Sequence, residues 1–119
     1  MKVQDINITL AEGWEEQPPP PVPSFLKKFS GQLRAFFHPG KEIGVNLSVE
    51  DKMPPHHIHL SVRHNGGISV TDEEMAELLA MFFPGATIAK NMDEVKAGAW
   101  VERKGVGMVK TVRHFSKFL

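Results

Sequence analysis

Two runs of strict alternation, separated by one short turn, constrain this chain more than anything else in it. Ile43, Val45, Leu47 and Val49 alternate with Gly44, Asn46, Ser48 and Glu50. After Asp51-Lys52-Met53-Pro54-Pro55, Ile58, Leu60 and Val62 alternate with His57, His59, Ser61 and Arg63. Successive strand side chains point to opposite faces, so each run has one apolar and one polar face. The turn is short enough to return the second run against the first as an antiparallel pair. Asn46, Ser48 and Glu50 then share a polar face with His57, His59 and Ser61. Asn65-Gly66-Gly67 closes the second run.

Helical spacing takes over next. Thr71 with Glu74 forms a capping box, Val70 and Met75 stand at hydrophobic-staple spacing, and Asp72, Glu73 and Glu74 fill the first turn. Met75, Leu78, Leu79 and Phe82 make one apolar stripe, which reads as core, and Pro84-Gly85 stops the helix. Ala86 to Lys90 reads as a short strand. Asn91 with Glu94 opens a second, shorter helix ending near Gly98. Ala99 to Arg103 and Val106 to Phe115 read as a final hairpin turning at Lys104-Gly105.

The N-terminal third is less regular. Val3 to Leu10 reads as a strand with Ile6, Ile8 and Leu10 on one face. Residues 17–23 are a proline-rich connector, extended because proline fixes φ and donates no ladder hydrogen bond. A ligand for a proline-binding domain is the competing reading, but Glu15 and Glu16 flank the run where a basic residue would support it. Ser24 to Phe37 fits a helix through Phe25, Phe29, Leu33 and Phe36. A short helix to Ser30 and a strand from Gln32 to His38 fit nearly as well, since Gly31 costs a helix roughly 1 kcal/mol relative to alanine. The 119 residues suit a single α+β domain, a small antiparallel sheet with one or two helices packed on one face.

Composition removes whole classes of chemistry. There is no cysteine, so disulfides, thiolate nucleophiles and cysteine metal sites are excluded, and no tyrosine, so no phenol can serve as an acid. Acidic and basic residues balance at 14 each, against the basic excess of most nucleic-acid or anionic-membrane binders. The start lacks a signal-peptide pattern and no run reaches transmembrane length, which predicts a soluble cytoplasmic protein. Charge is uneven along the chain: Asp72, Glu73, Glu74 and Glu77 stand in the middle, and Arg103, Lys104, Lys110, Arg113 and Lys117 near the end. Such asymmetry suits self-complementary association into a homodimer.

Four constellations bear on chemistry. His57 and His59 project from one side of a strand and can ligate one divalent metal such as zinc, with a third ligand from Glu50, His38 or His114. Against this, two ligands are not a site, and polar-face histidines are commonly solvated or hydrogen-bonded; no cofactor is otherwise implied. Second, His59-Leu60-Ser61-Val62 and His114-Phe115-Ser116-Lys117 share the form His-x-Ser-x. This resembles the paired motif of the two-histidine phosphoesterases. The resemblance implies His59 and His114 as acid and base at a phosphodiester, and Ser61 and Ser116 as hydroxyls holding phosphate oxygens. Lys117 stands where that motif has an apolar residue, and the chain is shorter than the family's two-lobed fold. The bland alternative makes His114 and Ser116 ordinary polar positions on a terminal strand. Third, the glycines of Gly105-Val106-Gly107 lack the spacing of a phosphate loop and read as a turn. Fourth, the basic strand with Lys110, Arg113 and Lys117 offers one aromatic, Phe115, too few for a base-stacking sheet.

A further likeness joins His56-His57-Ile58-His59-Leu60-Ser61-Val62 to the helix opening Val70-Thr71-Asp72-Glu73-Glu74-Met75 and ending Phe82-Phe83. Together these resemble a small uncharacterised family of phage and prophage proteins, in which a His-aliphatic-Ser-aliphatic strand precedes a Pro-Thr-x-x-Glu-Met helix. Val70 stands where that family has proline, and the C-terminal hairpin has no counterpart there. The likeness implies a small α+β phage-type protein and carries over no functional residue. Two functions follow as expectations: a non-enzymatic protein-binding module that self-associates, or a hydrolase using His59 with His114 or a metal on His57 and His59.

Overall fold

The computed structural model describes residues 3–18, 33–50, 56–104 and 112–118. They form an open, six-stranded antiparallel sheet with two helices, an α+β arrangement dominated by the sheet. The strands are β1 (Glu15–Gln17), β2 (Leu33–His38), β3 (Ile43–Glu50), β4 (His57–His64), β5 (Val101–Lys104) and β6 (Arg113–Phe118). The helices are α1 (Asp72–Phe82) and α2 (Met92–Lys96). Strand order across the sheet is β1-β2-β3-β4-β6-β5, so the last strand inserts between β4 and the edge strand β5. Among the described residues, no helix is long and apolar enough to cross a membrane.

The two alternating runs pair antiparallel as their pattern requires, with Leu47 opposite Leu60, Val45 opposite Val62 and Ser48 opposite His59. Leu47, Leu60 and Val62 are fully buried and join Phe36 of β2 and Phe115 of β6 in one core. Met75, Leu78, Leu79 and Phe82 of α1 belong to the same core, and the Phe82 ring meets the Phe36 ring edge-on at 5.0 Å. The α1 capping box is complete: Glu74 N–H donates to Thr71 Oγ1, and Thr71 N–H donates to the Glu74 carboxylate. After α1, Gly85 holds φ +85°, a left-handed conformation that glycine adopts without steric cost. At α2 only half the box forms. Asn91 Oδ1 accepts from Glu94 N–H, but the Glu94 carboxylate turns to the Lys90 N–H instead.

Several expectations change. Val3 to Leu10 is not a strand: it opens as a 3₁₀ turn (Val3–Asp5), and no ladder forms before β1. Its alternation is nonetheless used, because Ile6, Ile8 and Leu10 pack against the core. The backbone is held by a side chain rather than a strand, since Arg34 Nη1 donates to the carbonyls of Val3 at 3.2 Å and Ile6 at 2.8 Å. Glu15–Gln17, which sequence alternation does not mark as strand, pairs with β2 as the edge strand β1. Leu33–His38 is strand, as in the helix-plus-strand reading of that segment. The strand expected at 86–90 reduces to one parallel bridge, Ile88 with Trp100. Of the expected final strand, Arg113–Phe118 is strand with Arg103 opposite His114, and 105–111 lie outside the described residues. A tight turn at Lys104-Gly105 would have set Arg103 against Val106. The proline run at 19–23, the candidate helix at 24–32, the turn at 51–55 and the glycines at 105 and 107 lie outside the described residues.

Two arginines buttress the ends of the sheet in the same way. Arg34 of β2 grips Glu16 of β1, with Nη2 2.6 Å from Oε1, and its guanidinium lies 5.3 Å from the centre of the Phe36 ring. Arg113 of β6 grips Glu102 of β5, with Nε donating to Oε1 at 2.9 Å, and lies 5.3 Å from the centre of the Phe115 ring. Arg113 also donates to the Val70 carbonyl at 2.9 Å and pairs with Asp72 at the start of α1.

Candidate functional site

The polar face of β4 and β6 carries the cluster. These strands pair antiparallel with His59 opposite Ser116 and Ser61 opposite His114, so each imidazole sits across from the other motif's hydroxyl. A slip of two residues would keep the apolar pattern intact and set His59 opposite His114 instead, so alternation alone does not choose the register. Arg113 locks β6 to β5 and to the α1 start one residue before His114, and so supplies the missing constraint.

The four side chains form a continuous hydrogen-bonded string. His59 Nδ1 lies 3.1 Å from Ser116 Oγ, and His59 Nε2 lies 3.3 Å from Ser61 Oγ. Ser61 Oγ lies 2.9 Å from His114 Nδ1. The His59 and His114 rings stack, 5.5 Å apart between centres and 19° from parallel. Ser116 is fully buried, whereas His59, Ser61 and His114 are half-buried. Burial first, then the positive charges of His114, His57 and Arg103, push the His59 imidazole down from its ordinary 6.5 to about 4. His59 is therefore neutral near pH 7, with one ring nitrogen donating and the other accepting.

The flanks are cationic. Arg103 is exposed, shares the face of His114 across the β5–β6 ladder, and its charge reaches His59. Arg63 is exposed on the same face of β4 but lies across Gly44, where an added Cβ would come 3.3 Å from its Nε. Glu50 stands opposite His57 at the far end of β4. Arg103 was visible in the sequence only as one of a basic cluster, because the assumed hairpin register put it beside the wrong partner.

The metal pair is arranged differently from the acid–base pair. The His57 and His59 rings stand edge to face at 6.4 Å, and both nitrogens of His59 already face serine hydroxyls. Of the third ligands considered, His114 stacks on His59, Glu50 pairs across the ladder with His57, and His38 sits in the β2–β3 turn accepting from the Lys41 N–H. Among the described residues, no group of three or more such side chains is placed to hold a metal ion.

Comparison with protein-family models, curated proteins and solved structures gives no match to this chain.

Proposed function

We propose that this chain is a hydrolase of anionic esters, with a phosphodiester as the first substrate class, in which His59 and His114 are the acid–base pair. The observation that carries the reading is the register placing two His-x-Ser motifs face to face, each hydroxyl within hydrogen-bond reach of an imidazole. Proton-transfer roles need that proximity, and 53 or more residues of sequence separate the partners that achieve it. Arg103 supplies the positive charge an anionic substrate needs. The shared core of α1 with Phe36, Leu60 and Phe115 supports a helix packed on the face opposite the histidines. In hydrolysis, water would lose a proton to one imidazole as its oxygen bonds to phosphorus. The bond to the leaving oxygen breaks as the other imidazole, which enters the step protonated, delivers its proton there and becomes neutral.

The competing reading is a non-enzymatic module, from a phage or prophage, that self-associates through this same polar face. The two are separated by assaying the purified chain on bis(p-nitrophenyl) phosphate beside light scattering at tens of micromolar. The hydrolase reading expects turnover that His59→Ala and His114→Ala each reduce at least about 100-fold, the scale of a lost acid or base. Turnover that is absent from the parent chain, or unchanged from it in both variants, overturns it. A stable dimer dispersed by Arg103→Glu would then favour the module.

A further inference from the structure

The two hydroxyls of the cluster are not equivalent, although their motifs match. Ser116 has no exposed surface and faces only His59 among the four. It cannot meet a substrate while the strands are paired, so it is a positioning residue that orients the His59 ring through Nδ1. Ser61 is half-exposed and stands between two ring nitrogens, 3.3 Å from His59 Nε2 and 2.9 Å from His114 Nδ1. We propose that Ser61 is a proton relay joining the two imidazoles, so that His59 and His114 take up one proton as a unit rather than one each.

The reasoning is a proton count. A hydroxyl carries one proton, so Ser61 can donate to only one of its two imidazole neighbours while accepting from the other. With the charge on His114, its Nδ1–H donates to Ser61, and Ser61 donates to His59 Nε2. Transfer of the first proton to Ser61 Oγ, as the hydroxyl's own proton passes to His59, reverses both hydrogen bonds and moves the charge across. No bond other than N–H and O–H forms or breaks, and the string stays fully satisfied in both states, with Ser116 accepting from His59 Nδ1. Stacked cationic rings at 5.5 Å oppose a second proton. The other titratable or charged groups on this face among the described residues are Glu15 at the β1 edge, Glu50 of β3, His57 and Arg63 of β4, and Arg103 of β5. The three basic groups all disfavour that second charge too, and Glu50 lies at the His57 end.

This proposal rests on the acid–base reading of the pair but is tested without turnover. Nitrogen-15 resonances of the histidine rings are followed from pH 8 to pH 4 in the full chain and in Ser61→Ala and Ser61→Thr. The relay predicts that His59 and His114 resonances move along one shared curve in the parent chain. Ser61→Ala should split that curve into two, and Ser61→Thr, which keeps the hydroxyl, should restore it. Separate curves in the parent chain overturn the relay whether or not the variants fold, and so does a Ser61→Ala chain that still titrates as the parent does. A shared curve without hydrolysis of the phosphodiester keeps the relay and removes the hydrolase; turnover with separate curves does the reverse.

Discussion

The two ends of the sheet are built alike and loaded differently. At one end Arg34-Ala35-Phe36 sits in β2, with Glu16 of the edge strand opposite Phe36. At the other, Arg113-His114-Phe115 sits in β6, with Glu102 of the edge strand opposite Phe115. In both, the arginine lies over the phenylalanine, grips the edge glutamate and donates to main-chain oxygen of a segment outside the sheet: the Val3 and Ile6 carbonyls for Arg34, the Val70 carbonyl for Arg113. The middle residue points to the other face, and there the ends part: Ala35 is inert, while His114 enters the hydroxyl–imidazole string. A clamp on one face of a strand can therefore be reused unchanged while the intervening position decides whether that region has chemistry.

Core truncation should treat the two ends alike in stability and differently in chemistry. Phe36→Ala and Phe115→Ala each remove a nearly fully buried ring and should each cost about 3–5 kcal/mol in denaturant unfolding. Only Phe115→Ala should also move the ring resonances of His59. Equal effects on His59 from both variants would break the comparison.

Acid should act on the buried imidazole of the β4–β6 pair. In the folded chain burial and the neighbouring charges lower the His59 imidazole to about 4, so the pair resists a second proton, whereas the unfolded imidazole takes its proton near 6.5. The unfolded state thus binds more protons between those values. The stabilisation is full above pH 6.5, falls as pH drops through the window, and has been lost by about pH 4. The loss should amount to about 3 kcal/mol, at roughly 1.4 kcal/mol for each unit of depression. Unfolding free energies at pH 7.5 and pH 4 should differ by about that much less in His59→Asn than in the parent chain. An unchanged difference would remove the assigned burial cost.

The clamps themselves should give the smallest effect and the sharpest contrast. Arg34→Ala and Arg113→Ala each leave carbonyls and a glutamate without a charged donor, a loss of about 1.5–3 kcal/mol. Arg113→Ala should additionally loosen the β6 register and reduce phosphodiester turnover, which Arg34→Ala should leave within twofold once stability is matched. Equal losses of turnover would mean that Arg113 acts only through global stability.

What was legible in the sequence is what short-range sterics decides. The alternation of 43–50 and 57–64 depends on neighbours two residues apart, and the Thr71–Glu74 box closes within one turn, so both could be read locally and both stand in the structure. The residues of the cluster could also be named, because two His-x-Ser motifs are visible as text. Their meeting could not be read. Alternation allows any two-residue slip, the strand order requires β6 to insert between β4 and β5, and the N-terminal segment is held by an arginine rather than by a ladder. By itself the sequence determined the faces of the strands and the side chains they present. Only the tertiary structure decided which motif stands opposite which, because register and strand order are set by contacts between residues far apart in the chain, here Arg113 with Val70, Asp72 and Glu102.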